Sequence, residues 1–303
     1  MVVQLLSEIR SNISRHVAGG KFCAPMPGVR LVASTAPVAQ FRAIYEPGLA
    51  LIAQGAKRTV LGDKVFNYEA GQYLVVSVDL PILAEVIRAS REEPYLVFCL
   101  TLKPASIAAL LLETSAGNTG ATSAAGAGLA VCDASADLLD PIARLIRLVD
   151  YPDDSAVLAP MLEREILYRL LTGPQGNQVR QIGIANSRLS QLSRAIRWIR
   201  SHYAANLRID KLAQIAGMST ASFHRHFRTL TAMSPLQYQK QIRLQEARAR
   251  LISDAKNVAA VGFAVGYDSP SQFSREYSRF FGVPPGQDIK RLRAESETLR
   301  GLA

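Results

Sequence analysis

Residues Phe223 to Pro235, Phe-His-Arg-His-Phe-Arg-Thr-Leu-Thr-Ala-Met-Ser-Pro, return fifty positions later as Phe-Ser-Arg-Glu-Tyr-Ser-Arg-Phe-Phe-Gly-Val-Pro-Pro, from Phe273 to Pro285. A chain that repeats itself at this spacing builds one supersecondary unit twice. Each copy reads as a short apolar helix, a tight turn, a Ser able to accept backbone N–H bonds as an N-cap, and a second helix with two aromatics one turn apart. That is the layout of a helix-turn-helix. In the first copy Ile209, Leu212, Ala213 and Ile215 form the supporting helix, Gly217 makes the turn and Ser219 the cap. Val258, Val261, Val265, Gly266 and Ser269 repeat the pattern, and one extra turn residue, Asp268, changes the offset from 49 to 50. The units are expected at about 209–230 and 258–281.

Helical periodicity sorts the faces of the second helices. Phe223 and Phe227, and Phe273 and Tyr277, point inward. Ser219, Ala221, Ser222, His224, Arg225 and Arg228 are left on one outer arc, and Ser269, Ser271, Gln272, Ser274, Arg275 and Arg279 on the other. Arg can donate two parallel hydrogen bonds to guanine, Gln pairs with adenine, and Ser or His reads a base edge or a phosphate. These twelve residues are the candidates for contacting double-stranded DNA. For Arg225 and Arg275 a structural reading stands beside this one, because an Arg directly after a core aromatic also pairs with carboxylates inside a fold. Ser234-Pro235 starts a long helix to about Leu251, with Leu236, Tyr238, Ile242, Leu244 and Leu251 as inner positions. As a rigid spacer it would set the two heads one DNA turn, roughly 34 Å, apart. Ahead of it a helix over 187–205 presents Leu189, Leu192, Ile196, Ile199 and Tyr203 on one face and Arg194, Arg197 and Arg200 on the other.

The charge divides with the repeat. Residues 187–303 hold 19 Lys/Arg against 8 Asp/Glu, whereas residues 1–186 hold 16 against 17, so all of the net +10 lies with the heads. A basic helical module attracts phosphate and binds nucleic acid in a salt-dependent way. At 303 residues there is room for two cores. Cys23, Cys99 and Cys132 are too few and scattered for a disulfide framework or zinc site and suit a reducing compartment. The longest uncharged run, Thr114 to Cys132, is Gly, Ala, Ser and Thr, and the start of the chain lacks the pattern of a signal peptide. The protein is expected to be cytoplasmic, without a membrane partner.

From Gly28 to about Lys103 the signals are short strands: 30–32, 49–52, 59–61, 73–78 and 95–100, separated by glycines at 48, 55, 62 and 71, with Gly62-Asp63 as a hairpin turn. They predict a small antiparallel sandwich or barrel. Pro104 opens a helix over 105–113, and residues 115–136 read as a flexible loop. Two amphipathic helices follow, about 136–149 and 155–171. One carries the stripe Leu138, Leu139, Ile142, Leu145, Ile146 and Val149, the other Leu158, Leu162, Ile166, Leu167, Leu170 and Leu171, and they either cover the barrel or pair with a second chain. Thr172-Gly173-Pro174 ends the second helix. The fold class is therefore α+β: a first domain over 1–175, for which the family resemblance given next implies effector sensing and dimerisation, a linker over 176–186 and an all-α domain over 187–303.

Leu212-Ala213, Gly217-Met218-Ser219, Ser234-Pro235-Leu236-Gln237-Tyr238, Val265-Gly266-Tyr267, Ser271 through Tyr277 and Phe281-Gly282-Val283-Pro284-Pro285 resemble the AraC/XylS family of bacterial transcription regulators. The likeness covers about 187–293. The first half resembles an effector domain of that family through Tyr45-Glu46-Pro47, Ala53 to Arg58, Leu61-Gly62-Asp63, Tyr73 to Pro81 and Ala89-Ser90. The resemblance implies a cupin-like barrel, a homodimer, a small-molecule effector and, for an activator, contact with RNA polymerase. Metal-binding cupins need clustered His and Glu ligands, whereas this half has a single histidine, His16, outside the strands, so no metal site or cofactor is expected.

If Lys57 and Arg58 converge with Arg88 and Arg91 across the barrel they form an anion site, for which cyclic di-GMP is a concrete candidate. The alternative leaves these charges solvated or paired with Glu46, Glu92 and Glu93. A rival signal is electrophilic, sensed by Cys23 beside Lys21 or by Cys99, which sits in an apolar strand as a buried thiol would. The rival function, a cupin-type enzyme fused to a DNA-binding module, needs a metal cluster or an activated nucleophile, and neither a nucleophile elbow nor a helical His pair occurs. A nonspecific DNA binder is the third possibility.

Overall fold

The computed structural model describes residues 1–17, 22–114, 127–253 and 257–290. These residues separate into two compact units, 1–191 and 192–290.

The first unit is a sandwich of two antiparallel sheets. β1 (Phe22–Met26), β2 (Val29–Ser34), β4 (Gly48–Gln54), β7 (Gln72–Val76), β9 (Tyr95–Thr101) and β10 (Leu129–Asp133) make one sheet in the order β1-β2-β9-β4-β7-β10. β3 (Val38–Tyr45), β5 (Ala56–Leu61), β6 (Lys64–Glu69) and β8 (Leu80–Arg88) make the other, in the order β3-β8-β5-β6. The larger sheet is buried on both faces, which is why β9 reads as the near-continuous apolar run Tyr-Leu-Val-Phe-Cys-Leu. On its outer side lies α1 (Val2–His16), with Ile9 and Ile13 fully buried, packed on α3 (Ala136–Arg147) and on β2, β4 and β9. Ser135 caps α3, accepting a bond from the Leu138 amide. A 3-10 turn over 148–150 and α4 (Pro152–Thr172) follow, and α2 (Pro104–Glu113) packs on α4.

Three local expectations change. Residues 115–126 of the expected loop lie outside the described residues, but Leu129–Asp133 is a strand, because the free edge of β7 offers its backbone a complete ladder. The expected linker over 176–186 contains α5 (Gly176–Gly183), which packs against α2. It is anchored by Val179 and Ile182, whose spacing is too short a pattern to announce a helix. α4 begins at Pro152 rather than near Ser155, since a proline costs nothing in a first turn.

α6 (Arg188–Ser201) leads into the second unit, which is all helix: α7 (Ile209–Ala216), α8 (Thr220–Thr231), α9 (Pro235–Ser253), α10 (Val258–Ala264) and α11 (Pro270–Phe281). Under the first head Phe223 and Phe227 lie tilted at 5.4 Å, and Phe227 meets Tyr238 edge to face at 5.6 Å. Tyr267, Phe273, Tyr277 and Phe281 form the matching chain in the second, over Leu244, Ala247 and Leu251 of α9. Leu236, expected on the inner side of α9, is 58% exposed, because the burial of Pro235, Tyr238 and Ile242 turns it outward.

The two heads end differently. α11 closes on Gly282 in the left-handed conformation with open space around it, whereas α8 closes on Ala232 at φ 57°. A Cβ costs about 1–2 kcal/mol there. Replacing Ala232 by Gly is therefore expected to raise the unfolding free energy by about 0.5–1 kcal/mol after the added chain entropy is offset. Chemical denaturation checks this, and a lowered midpoint would contradict it.

Candidate DNA interface and effector cavity

Each head is set by its turn. Gly217 adopts φ 65°, the Met218 amide donates to the Ala213 carbonyl, and Ser219 Oγ accepts from the Ser222 amide at 3.3 Å. In the second head Gly266 sits at φ 93°, and a Cβ there would collide with the Ala204 carbonyl oxygen. Ser269 Oγ accepts from the Gln272 amide.

The outer arcs are exposed as the periodicity requires. Ser219, Ala221, His224, Arg225 and Arg228 on the first head, and Ser271, Gln272, Arg275 and Arg279 on the second, face solvent, while Ser222, Ser269 and Ser274 are partly covered. Arg275 Nε donates to the Ser271 carbonyl of its own helix at 3.3 Å, and Gln272 approaches Glu276. Among the described residues neither Arg225 nor Arg275 is tied to a carboxylate. Both arcs thus carry guanidiniums with free donors. Arg194 differs: its Nε donates to the Ile215 carbonyl at 3.3 Å, where α7 presents its unsatisfied C-terminal oxygens, so it joins α6 to α7.

The spacer helix holds both heads through polar groups that the sequence reading passed over. Gln239 Nε2 donates to the carbonyls of Tyr203 and Ala205 at 2.9 and 2.7 Å. Arg243, one turn on, donates to Tyr203 at 2.7 Å, Ala204 at 3.2 Å, Ala205 at 3.0 Å and the turn carbonyl of Gly266 at 2.8 Å. Burial pulls the Arg243 guanidinium below its ordinary pKa. Lys240 and the Tyr267 hydroxyl both reach Glu276 Oε2, at 3.0 and 2.9 Å. Burial works to raise that carboxyl, but these donors outweigh it and hold it below the usual range. Further along, Arg248 pairs with Asp288 at 2.8 and 3.1 Å, and Tyr277 of α11 donates to the same carboxylate at 2.8 Å. The only signal available beforehand was the polar pair Gln239 and Arg243 four apart; the carbonyls they meet lie more than twenty residues away in sequence.

The four expected effector residues are not brought together. Lys57 and Arg58 are neighbours on one strand, and strand alternation sends them to opposite faces. Lys57 points between the sheets and is 5% exposed. Arg58 lies outside, bonded to Asn67 at 3.0 Å and paired with Glu85 at 3.4 Å; Arg88 pairs with Glu69 at 2.9 Å, and Arg91 is exposed beyond β8. Between the sheets is a cavity of about 70 Å³ with Lys57, Tyr45, Tyr68, Tyr95 and Cys99 in its wall and the exposed residues Arg30, Glu46 and Thr101 at its margin. Thr59 Oγ1 and the Tyr68 hydroxyl share a hydrogen bond of 3.0 Å. Burial pushes the phenols of Tyr45, Tyr68 and Tyr95 and the thiol of Cys99 upward, so all four are neutral at ordinary pH. Cys23 is half-buried on the edge strand β1, and its expected neighbour Lys21 lies outside the described residues. Among the described residues no cluster of His, Cys, Asp or Glu could hold a metal ion, and no helix is long and apolar enough to cross a membrane.

A pocketed sandwich followed by two helix-turn-helix heads on one spacer is the architecture of a two-domain transcription regulator. The family described as AraC-type transcriptional regulator N-terminus matches residues 25–178, and a helix-turn-helix domain family matches residues 212–291. The chain belongs to the AraC-type transcriptional regulators. It is 29% identical over 147 residues to the HTH-type transcriptional regulator ArgR of Pseudomonas aeruginosa, covering 48% of this chain and 44% of that one. It is 25% identical over 156 residues to the HTH-type transcriptional activator RhaS of Escherichia coli, covering 52% and 55%. The chain thus spans about half the length of these curated relatives. In fold it is similar to ToxT of Vibrio cholerae, solved with an unsaturated fatty acid bound, with a TM-score of 0.54 and 11% identity over 86% of this chain and 93% of that one.

Proposed function

We propose that this protein is a sequence-specific DNA-binding regulator of transcription, an activator acting as a homodimer, whose N-terminal sandwich takes a small-molecule effector. One observation carries the reading: two structurally equivalent helices, fixed to a common spacer, each present unpaired arginines and small polar groups to solvent. Such a surface suits the edges of successive major grooves. The description of RhaS as an activator supports the direction of control, and an activator has to engage RNA polymerase. The exposed residues Leu158, Met161 and Tyr168 along α4 are the surface we assign to the second copy.

The fatty acid bound by ToxT supports a small-molecule ligand for this chain as well, which we place in the first domain. A cyclic dinucleotide would require Arg58 and Arg88 to leave their carboxylates and a far larger cavity, so a smaller effector fits better. Footprinting the full chain on genomic fragments across a salt series tests the reading. Discrete protected sites that persist after background binding has faded are expected; uniform protection at every salt concentration would reduce the protein to a nonspecific binder.

A further inference from the structure

Lys57 is a buried cation without an anion. Its ammonium lies 5.4 Å from the Phe41 ring centroid, 5.2 Å from that of Tyr45 and 5.9 Å from that of Tyr95, and it makes no hydrogen bond or ion pair among the described residues. Three ring faces attract the charge but accept none of its three N–H donors with the strength of an oxygen. Burying an ammonium in this way costs stability unless something in the cavity completes its shell. Tyr45, Tyr68, Tyr95 and Cys99 beside it are held neutral by burial, so none of these four supplies a negative charge, and the carboxylate at the cavity margin, Glu46, forms no ion pair with Lys57.

Val32, Leu49, Leu74, Val76 and Val97 give the cavity an aliphatic side, and its polar groups Arg30, Glu46 and Thr101 lie at the exposed margin. At about 70 Å³ the space takes roughly five to seven water-sized groups, given the roughly 10–15 Å³ one water needs. We infer that the cavity is the receptor site for a small monocarboxylate, whose oxygens take the Lys57 donors while its short hydrocarbon body lies against the aliphatic wall. The inference rests on the proposal that the first domain senses an effector, and it names the chemical class.

The probes are butanoate and propanoate, with butanamide and propanamide as neutral counterparts of the same shape, titrated calorimetrically into the full chain. The carboxylates are expected to bind and the amides to bind roughly tenfold to a hundredfold more weakly, the range of one charge-assisted hydrogen-bonded contact. Lys57→Met keeps the length and volume of the side chain, removes the unpaired charge, and is expected to melt no lower than the native chain while losing the preference for carboxylate over amide. Lys57→Arg is expected to keep a preference for the carboxylate. Equal binding of acid and amide, an undiminished preference in a folded Lys57→Met chain, or no binding of either carboxylate would overturn the inference. A gel shift on the footprinted fragment separates the two readings. Sequence-specific DNA binding without carboxylate binding ends only the ligand assignment, whereas carboxylate binding without specific DNA binding ends the regulator reading and leaves the ligand assignment standing.

Discussion

Replacing Asp288 by Ala is expected to lower the stability of the DNA-binding unit by about 3–5 kcal/mol, the usual consequence of removing one partner from a buried ion pair. Asp288 is fully buried, and the side chain of its partner Arg248 is only 14% exposed. The carboxylate also receives the Tyr277 hydroxyl, so its loss strands two donors at once, one on the spacer helix and one on the second reading helix. The double replacement Arg248→Met with Asp288→Leu is expected to recover part of the loss, because it removes the stranded guanidinium while the Tyr277 hydroxyl still lacks its acceptor. Urea denaturation of the two variants reads both values. A single-variant cost below about 1 kcal/mol would mean that the pair is open to water and does not clamp the head.

The second large effect concerns recognition. Arg275→Ala, Arg225→Ala and His224→Ala are each expected to weaken the footprinted site by roughly tenfold to a hundredfold, while binding to random duplex changes little. The structural reading of both arginines loses ground because neither meets a carboxylate in the described fold. Arg197→Ala, on the exposed side of α6, serves as the contrast and is expected to weaken site and random DNA alike. Arg194 would be a poor contrast, since its Nε donates to the Ile215 carbonyl and its replacement would also loosen α6 from α7. Fluorescence titration against both duplexes at one fixed salt concentration separates the classes. Equal losses in all four variants would place the outward arcs away from the bases.

Much of the second unit was readable in advance because its determinants are local. Caps, glycine turns and aromatics one turn apart act within a dozen residues, so Ser219, Gly217, Phe223 and Phe227 could be assigned from spacing alone. Even there Leu236 was misplaced, since a residue at the second position of a helix is aimed by the packing of the turn before it. The sandwich was half legible. β4, β7 and β9 are apolar runs, whereas β3 and β6 mix Gln, Arg, Asn and Lys with apolar residues on a sheet whose outer face is wet, and β8 carries Pro81 near its start. Lys57 and Arg58 show the limit most clearly. A basic dipeptide looks like one feature in sequence, yet a strand sends its two members to a buried cage and an exposed ion pair. What Arg243 does was beyond reach, because its meaning lies in carbonyls contributed by Tyr203, Ala204, Ala205 and Gly266.

That grip has a consequence for the genome rather than for the protein. Once Arg243 locks the second turn and the end of α6 to one spacer helix, the two heads cannot be reset independently, and on the proposed reading the separation between half-sites is a fixed length. Operators for such a protein can drift in base sequence at each half-site, one contact at a time. They cannot drift in spacing, because a few inserted base pairs would carry the second half-site around to the far side of a duplex that turns once in about 10.5 base pairs.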